Sequence, residues 1–172
     1  MGDDFDAWRE GHLLTQRSGN EFDKATIPER MLTETHFQRL LAEWTKDRRR
    51  DTAYILWGFD RETGKWVCDA SFFDIIRGTQ QNAWIGGHVL NPYWGSGYAT
   101  ESFEAMLELG FEVIGLHRIE ALTEAGNSGA LSVLKKMHFR HEGLSKRRVL
   151  HRGKWRDAEV YAMTSEEHFN SL

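Results

Sequence analysis

At 172 residues the chain has the length of one domain, 1–172, and is long enough to bury a substantial core without staples. Its 7 Trp and 10 Phe make an aromatic core the expectation, and a formal net charge of −4 argues against a general nucleic-acid binder, whose footprint is basic. Cys68 is the only cysteine, so no intramolecular disulfide can form; the acidic start and the lack of any signal-length or membrane-length apolar run make a cytoplasmic protein, away from membranes, the expectation.

Residues 1 to about 25 are polar and weakly patterned, with Trp8, Leu13, Leu14 and Phe22 as docking anchors. Thr26-Ile27-Pro28-Glu29 has the spacing of a capping box with proline in the early-helix position. Leu32, Phe37, Leu40, Leu41 and Trp44 then predict an amphipathic helix ending near Lys46-Asp47-Arg48-Arg49-Arg50, a basic end that complements the helix dipole. Ala53 to Phe59 is strand-like, residues 60–65 form a polar hairpin loop, and Trp66 to Ile76 is the returning strand. Trp84 to Leu90 reads as the next strand. Ala99, Phe103, Met106, Leu107, Phe111 and Ile114 recur at helical spacing, with Glu101, Glu104, Glu108 and Glu112 on the other side. Another strand through Glu120 follows, then a helix after Asn127, and Leu144 to Leu150 with Trp155 to Met163 flank residues 151–154 as a last hairpin. Short loops imply an antiparallel meander, to which the strand-helix-strand passage from Trp84 to Thr123 adds one parallel crossover. The fold class expected is therefore α/β of the α+β kind, a mixed, mainly antiparallel twisted sheet of about six strands flanked by helices.

Between the third strand and its helix lies Tyr93-Trp94-Gly95-Ser96-Gly97-Tyr98-Ala99-Thr100-Glu101. The start of a helix offers backbone N–H groups without intrahelical partners and a positive dipole end, so it binds a phosphate wherever no side chain blocks the approach. Gly95 and Gly97 leave that approach open. A mononucleotide loop would end in Gly-Lys-Ser/Thr, whereas Gly97 is followed by Tyr98-Ala99. A dinucleotide fingerprint would need a third glycine at position 100, which is Thr, and its turn would follow the strand at once; Glu120 does stand at the right distance for its acidic residue.

The same nine residues closely resemble the coenzyme A pyrophosphate loop of the GNAT superfamily of N-acetyltransferases, in the branch that contains the RimJ and RimL ribosomal-protein N-terminal acetyltransferases. His117-Arg118-Ile119-Glu120-Ala121 is similar to that branch's next strand. Asn127 with Leu131, Val133, Leu134, Lys135, Lys136, Met137 and Phe139 is similar to its next helix, and Gly153-Lys154-Trp155-Arg156-Asp157 with Tyr161-Ala162-Met163 to its final hairpin strand. The resemblance spans roughly residues 52 to 164. Three positions depart from the pattern: Pro92 stands where Gln or Arg is frequent, His138-Phe139 where Gly-Phe is frequent, and Ala130 where RimL-like relatives carry a serine proton donor. The family's opening strand has no counterpart, so that either the chain lacks it or the natural start lies upstream. The edge beside the Ala53 to Phe59 strand is then open to pairing, a homodimer being one such arrangement.

The resemblance implies that acetyl-CoA is the cosubstrate, with no metal. The N–H groups of Trp94, Gly95, Ser96, Gly97, Tyr98, Ala99 and Thr100 would receive its pyrophosphate, and a backbone N–H near Val89 or Leu90 would polarise the thioester carbonyl. Gly86-Gly87 is the expected place of a bulge, because glycine inside a strand is otherwise unfavourable. Direct attack without an acetylated enzyme is implied, and Cys68 is expected to be a core thiol. An ammonium must lose a proton before it attacks, and Glu120 or, alternatively, His88 would take it. Glu120 otherwise forms an ion pair with Arg118. Asn127 caps its helix or contacts the pantetheine. Ser128, Ser132 and Tyr98 are the groups near enough in sequence to protonate the leaving thiolate. The implied acceptor is the α-amino group of a protein such as a ribosomal protein starting with Ala or Ser. The alternatives are a small amine (a polyamine, an aminoglycoside or an amino acid), bound in an acidic pocket if Asp3-Asp4-Asp6 or Glu21-Asp23 fold over the site, or a catalytically weak coenzyme A-binding partner protein. The basic residues 146–148 and 152–156 would serve solubility or face an acidic or ribosomal surface.

Overall fold

Six strands make one sheet in the order β1-β2-β3-β4-β6-β5. They are β1 (Tyr54–Phe59), β2 (Trp66–Ile76), β3 (Asn82–Val89), β4 (Arg118–Glu124), β5 (Arg140–His151) and β6 (Lys154–Thr164). The computed structural model describes residues 2–15, 20–23 and 27–170. Every neighbouring pair is antiparallel except β3 with β4, as the one crossover predicts. The helices are α1 (Gly2–Leu14), α2 (Glu34–Arg49), α3 (Tyr98–Glu108), α4 (Ser128–Lys136) and α5 (Ser165–Asn170), and Leu109–Ile114 widens into a π-helical turn after α3. Among the described residues no strand precedes Tyr54, which leaves β1 as an edge.

Strand alternation divides the apolar residues between two cores. Phe72, Ile85, Ile119 and Tyr161 meet Met106, Leu107 and Phe111 beneath α3, and Leu134 of α4 joins them. On the opposite face Trp8 of α1 and Phe37 of α2 pack with Trp66 and Leu90, with Trp57 beside them. At about 25 cal/mol per Å2 of apolar area, each of these large aromatics favours the folded state by several kcal/mol before chain entropy is counted.

The amino-terminal segment departs from the expectation. Residues 2–14 form a helix, and only Trp8 of the expected anchors on it is buried, at 2% exposure, whereas Leu13 and Leu14 face solvent. Gly11 explains the seating: a Cβ there would stand 2.5 Å from Trp66 Cε3, so glycine lets the helix lie against the indole. Such a helix owes its stability to one contact line rather than to a repeated apolar stripe, and leaves little periodicity to detect. The second helix begins later than predicted. Glu29–Met31 is a short 3-10 turn, Leu32 is buried, and Thr33 caps α2 by accepting the His36 N–H at 3.3 Å. Thr26 and the side chain of Asp3 lie outside the described residues.

Candidate active site

The parallel pairing of β3 with β4 runs from Asn82↔Arg118 to Ile85↔Ala121 and stops there. Both strands continue, β3 paired to β2 through Val89↔Cys68 and β4 paired to β6 through Glu124↔Ala158. They therefore splay, and a slot opens from the level of Gly86 and Leu122. Carrying the register forward sets His88 level with Glu124. The expected bulge at Gly86-Gly87 is absent: the β2–β3 register is regular there and shifts instead between Phe73 and Ile76. Gly87 has a different reason. A Cβ on it would lie 2.9 Å from Phe103 Cε2 and 3.0 Å from the Asp69 carbonyl oxygen, so only glycine lets α3 and β2 approach this closely.

Backbone alternation decides which N–H groups face the slot. The Leu90 N–H donates to the Val67 carbonyl at 2.9 Å, so Leu90 and, by alternation, His88 and Gly86 point their backbone groups toward β2. Leu90 is thereby excluded as the carbonyl-polarising donor. Val89 remains, and Gly87, which motif reading does not reveal, joins it.

At the end of β3 a 3-10 turn, Asn91–Tyr93, leads into the glycine loop, and the Trp94 indole N–H donates to the Val89 carbonyl at 2.8 Å. Gly95 and Gly97 adopt φ of 78° and 90°, the left-handed region that glycine enters without a Cβ penalty, and an added Cβ at either would meet nothing within 4 Å. Gly97 is the N-cap of α3 and provides no side-chain cap. Trp94, Ser96 and Thr100 donate their N–H groups to the carbonyls of Asn91, Tyr93 and Gly97. Among the described residues the N–H groups of Gly95, Gly97, Tyr98 and Ala99 are thus the open donors of the loop. Four unpartnered N–H groups at the positive end of a helix, with clear space before them, fit a pyrophosphate.

Tyr98 is not a free acid. Its hydroxyl donates to Asp60 Oδ2 at 2.6 Å, which pushes the phenol up to about 12, while the bonds from Thr63 and Tyr98 hold Asp60 down at about 2. Ser128 and Ser132 are exposed on α4, and the Asn127 side chain caps that helix by accepting the Ala130 N–H at 3.2 Å. Cys68 is buried beneath α3, where desolvation raises its thiol, so it stays in its inert protonated form.

On the face away from α3, His88 stands between two carboxylates: Nε2 lies 3.3 Å from Asp23 Oδ1 and Nδ1 lies 3.7 Å from Asp69 Oδ2. Asn91 Nδ2 donates to the other Asp23 oxygen at 3.3 Å. The segment 20–23 crosses the mouth of the slot, because Glu21 also reaches Arg156 of β6 at 3.5 Å and Phe22 lies over Gly126. Glu21 and Asp23 therefore do fold over the site, whereas Asp6 lines a separate cleft beside Gly64. Next to His88 and Asp69 an aromatic cleft of about 280 Å3 opens between Trp8, Trp44, Trp57 and Trp66. Asp23 was expected as part of an acidic pocket conditional on this fold-over, whereas Asp69, whose only signal is strand parity with His88, was not.

Glu120 occupies a different place from the one expected of a base. It is level with Trp84, where the strands are still paired, about 13 Å along the strand from Glu124 at roughly 3.3 Å per residue. Both of its oxygens are engaged: Oε1 accepts from Arg118 Nε at 2.9 Å and Oε2 from Asn82 Nδ2 at 3.0 Å. Arg118 also binds Glu142, which binds Arg140, so Glu120 belongs to an ion-pair chain running across β4 and β5.

Residues 3–140 match the family described as "Acetyltransferase (GNAT) domain". "Probable N-acetyltransferase YjcK" of Bacillus subtilis is 30% identical over 76% of this chain and 72% of its own length. The [Ribosomal protein uS5]-alanine N-acetyltransferase of Escherichia coli is 25% identical over 95% of this chain and 85% of its own. Among solved structures, Mycobacterium smegmatis RimJ in complex with CoA-disulfide superposes with a TM-score of 0.81 at 28% identity, covering 95% of this chain and 78% of that one.

Proposed function

Because the chain belongs to the GNAT acetyltransferase family and is an N-acetyltransferase, we propose that it moves the acetyl group of acetyl-CoA directly onto the α-amino group of a protein, such as a ribosomal protein beginning with Ala or Ser. The observation that carries this is the placement of two kinds of site on one slot: four open N–H donors at the α3 end, and carboxylates on the opposite face. The first suits the pyrophosphate and the second an ammonium. The alanine N-acetyltransferase of E. coli supports the choice of acceptor by its name and by the share of both chains it matches.

Acetyl-CoA supplies the thioester carbon that the amine attacks. Gly95, Gly97, Tyr98 and Ala99 would hold its pyrophosphate, and the slot-facing N–H groups of Gly87 and Val89 would meet charge on the thioester oxygen as it develops. Asp23 and Asp69 attract the acceptor ammonium and hold the His88 ring between them. With both ring nitrogens turned to carboxylates, His88 fits an orienting role better than that of base. Glu120, engaged on both oxygens, serves to order Arg118 and Asn82.

One feature favours a second acceptor class. An organic cation is attracted to indole faces, and the cleft walled by Trp8, Trp44, Trp57 and Trp66 adjoins Asp69. Release of coenzyme A thiol across a panel of N-terminal peptides and small amines decides between them. Turnover confined to Ala- or Ser-starting peptides supports the protein acceptor; turnover confined to polyamines, aminoglycosides or amino acids overturns it. Tight coenzyme A binding without release on any acceptor points to a non-catalytic partner protein.

A further inference from the structure

Glu124 and His151 form a contact that neither the fold nor the reading above requires. Glu124 closes β4, on the same face as His88 and Glu120, and its Oε1 is hydrogen-bonded to His151 Nδ1. Their side chains are only 16% and 20% exposed. His151 belongs to β5, which is separated from β4 by β6, so its arrival there needs a cause. The β5–β6 register shifts between Ser145 and Val149, with Arg147 at φ 51° and its N–H donating to Asp157 Oδ1 at 2.9 Å. A shift of this kind bends a strand pair, and the bent hairpin carries His151 back over the end of β4.

Its position matters because of the levels in the slot. Glu124 is level with His88, and that level lies between the two slot-facing donors, Gly87 and Val89. His88 has both ring nitrogens turned to carboxylates, whereas His151 uses Nδ1 on Glu124 and its Nε2 has no partner among the described residues. A carboxylate on one nitrogen sets the tautomer that leaves the other as a lone-pair acceptor.

We propose that His151, positioned by Glu124, is the general base that removes a proton from the acceptor ammonium; this rests on the acetyltransferase reading above. The ammonium gives one proton to His151 Nε2, and the amine nitrogen then attacks the thioester carbon. As the C–N bond forms and the C–S bond breaks, the nitrogen's second proton leaves with the sulfur as the coenzyme A thiol. The products are the N-acetylated acceptor and free thiol, and His151 returns its proton to solvent. The charged groups on the elements beside the dyad are Lys154 and Arg156 from β6, Arg152 at the hairpin tip, Glu21 and Asp23 from the crossing segment and His88 from β3, while Glu120 and Arg118 stand four and six residues back along β4.

The test uses the full chain with the best acceptor from the panel. His151→Gln is expected to lower kcat about 100-fold and to remove the acidic limb of the pH–rate profile, with coenzyme A affinity within twofold of the wild type. Glu124→Gln is expected to lower kcat by a smaller factor, since the ring loses the carboxylate that fixes its orientation and tautomer. Ring-nitrogen NMR supplies a readout independent of turnover: His151 carries its proton on Nδ1 when neutral, and Glu124→Gln abolishes that preference. If either substitution lowers thermal stability strongly, His151→Asn and the NMR tautomer of the wild type carry the decision. A His151→Gln rate within threefold of the wild type, an unchanged acidic limb, or a proton on Nε2 overturns the dyad while leaving the acetyltransferase reading intact. No turnover by the wild type on any acceptor overturns that reading, and the dyad with it.

Discussion

Replacing Gly97 with valine separates the phosphate loop from the rest of the enzyme. Gly97 holds φ at 90°, and an added Cβ would meet nothing within 4 Å, so valine clashes with nothing in the free protein; it strains the backbone and, whichever way the loop responds, puts a side chain into the open approach to the N–H groups. Holding a non-glycine residue in left-handed backbone costs about 1–2 kcal/mol, more for a β-branched one. Two responses are open to the loop. If it keeps its shape, stability falls by that amount, a shift in Tm of about 2–8 °C for a chain this long. If it relaxes, the N–H groups of Gly97, Tyr98 and Ala99 turn away from their common focus. Losing two charge-assisted hydrogen bonds at about 1.5 kcal/mol each removes about 3 kcal/mol, more than 100-fold in Kd. Calorimetric titration with coenzyme A, beside a melting curve, distinguishes the two, and the second is expected. The loss should vanish for pantetheine, which has no pyrophosphate. A coenzyme A Kd within twofold of the wild type refutes the phosphate assignment.

Two further substitutions probe the ion-pair chain behind the slot. Glu120→Gln removes the charge that Arg118 and Asn82 bind, so Tm should fall by a few degrees, the cost of about 1–2 kcal/mol, while kcat stays within threefold; a 100-fold loss of kcat would return the base to Glu120. The Glu142 carboxyl is held below its ordinary range by Arg118 first and Arg140 second. A carboxyl depressed in the folded state stabilises it above the unfolded carboxylate value, near pH 4.3, and loses that contribution as pH falls through the folded value. The Tm difference between the wild type and Glu142→Gln should therefore be full above about pH 5 and narrow steadily as pH falls below about 4.3. A difference that does not narrow in acid contradicts the assignment.

The strands were legible because most are separated by polar or glycine turns and carry apolar runs of strand length: β2 begins at Trp66 and ends at Ile76, as the pattern predicts. The loop was legible because Gly95 and Gly97 have a local backbone reason to be glycine. Gly87 has a non-local one, Phe103 and the Asp69 carbonyl, and nothing beside it in the chain distinguishes a close approach from a bulge. The first helix escaped notice because its seating depends on Gly11 meeting Trp66, 55 positions away. Thr33 rather than Thr26 starts α2 because Leu32 is drawn into the second core before the helix begins.

By itself the sequence determined the family, the strand-loop-helix proposed to hold the pyrophosphate and the mainly antiparallel sheet, since each rests on neighbours in the chain and on backbone rules acting over a few residues. Only the tertiary structure decided which carboxylates and imidazoles meet at the slot. Glu120 and Glu124 share a strand face and look alike in sequence, but the β3–β4 pairing ends between them, leaving one in an ion-pair chain and the other at the open mouth. His151 reaches that mouth through a hairpin bend, and Asp23 through a crossing segment. Electrostatic partnership depends on distance in space, and long-range distances are set by strand order and register rather than by position along the chain.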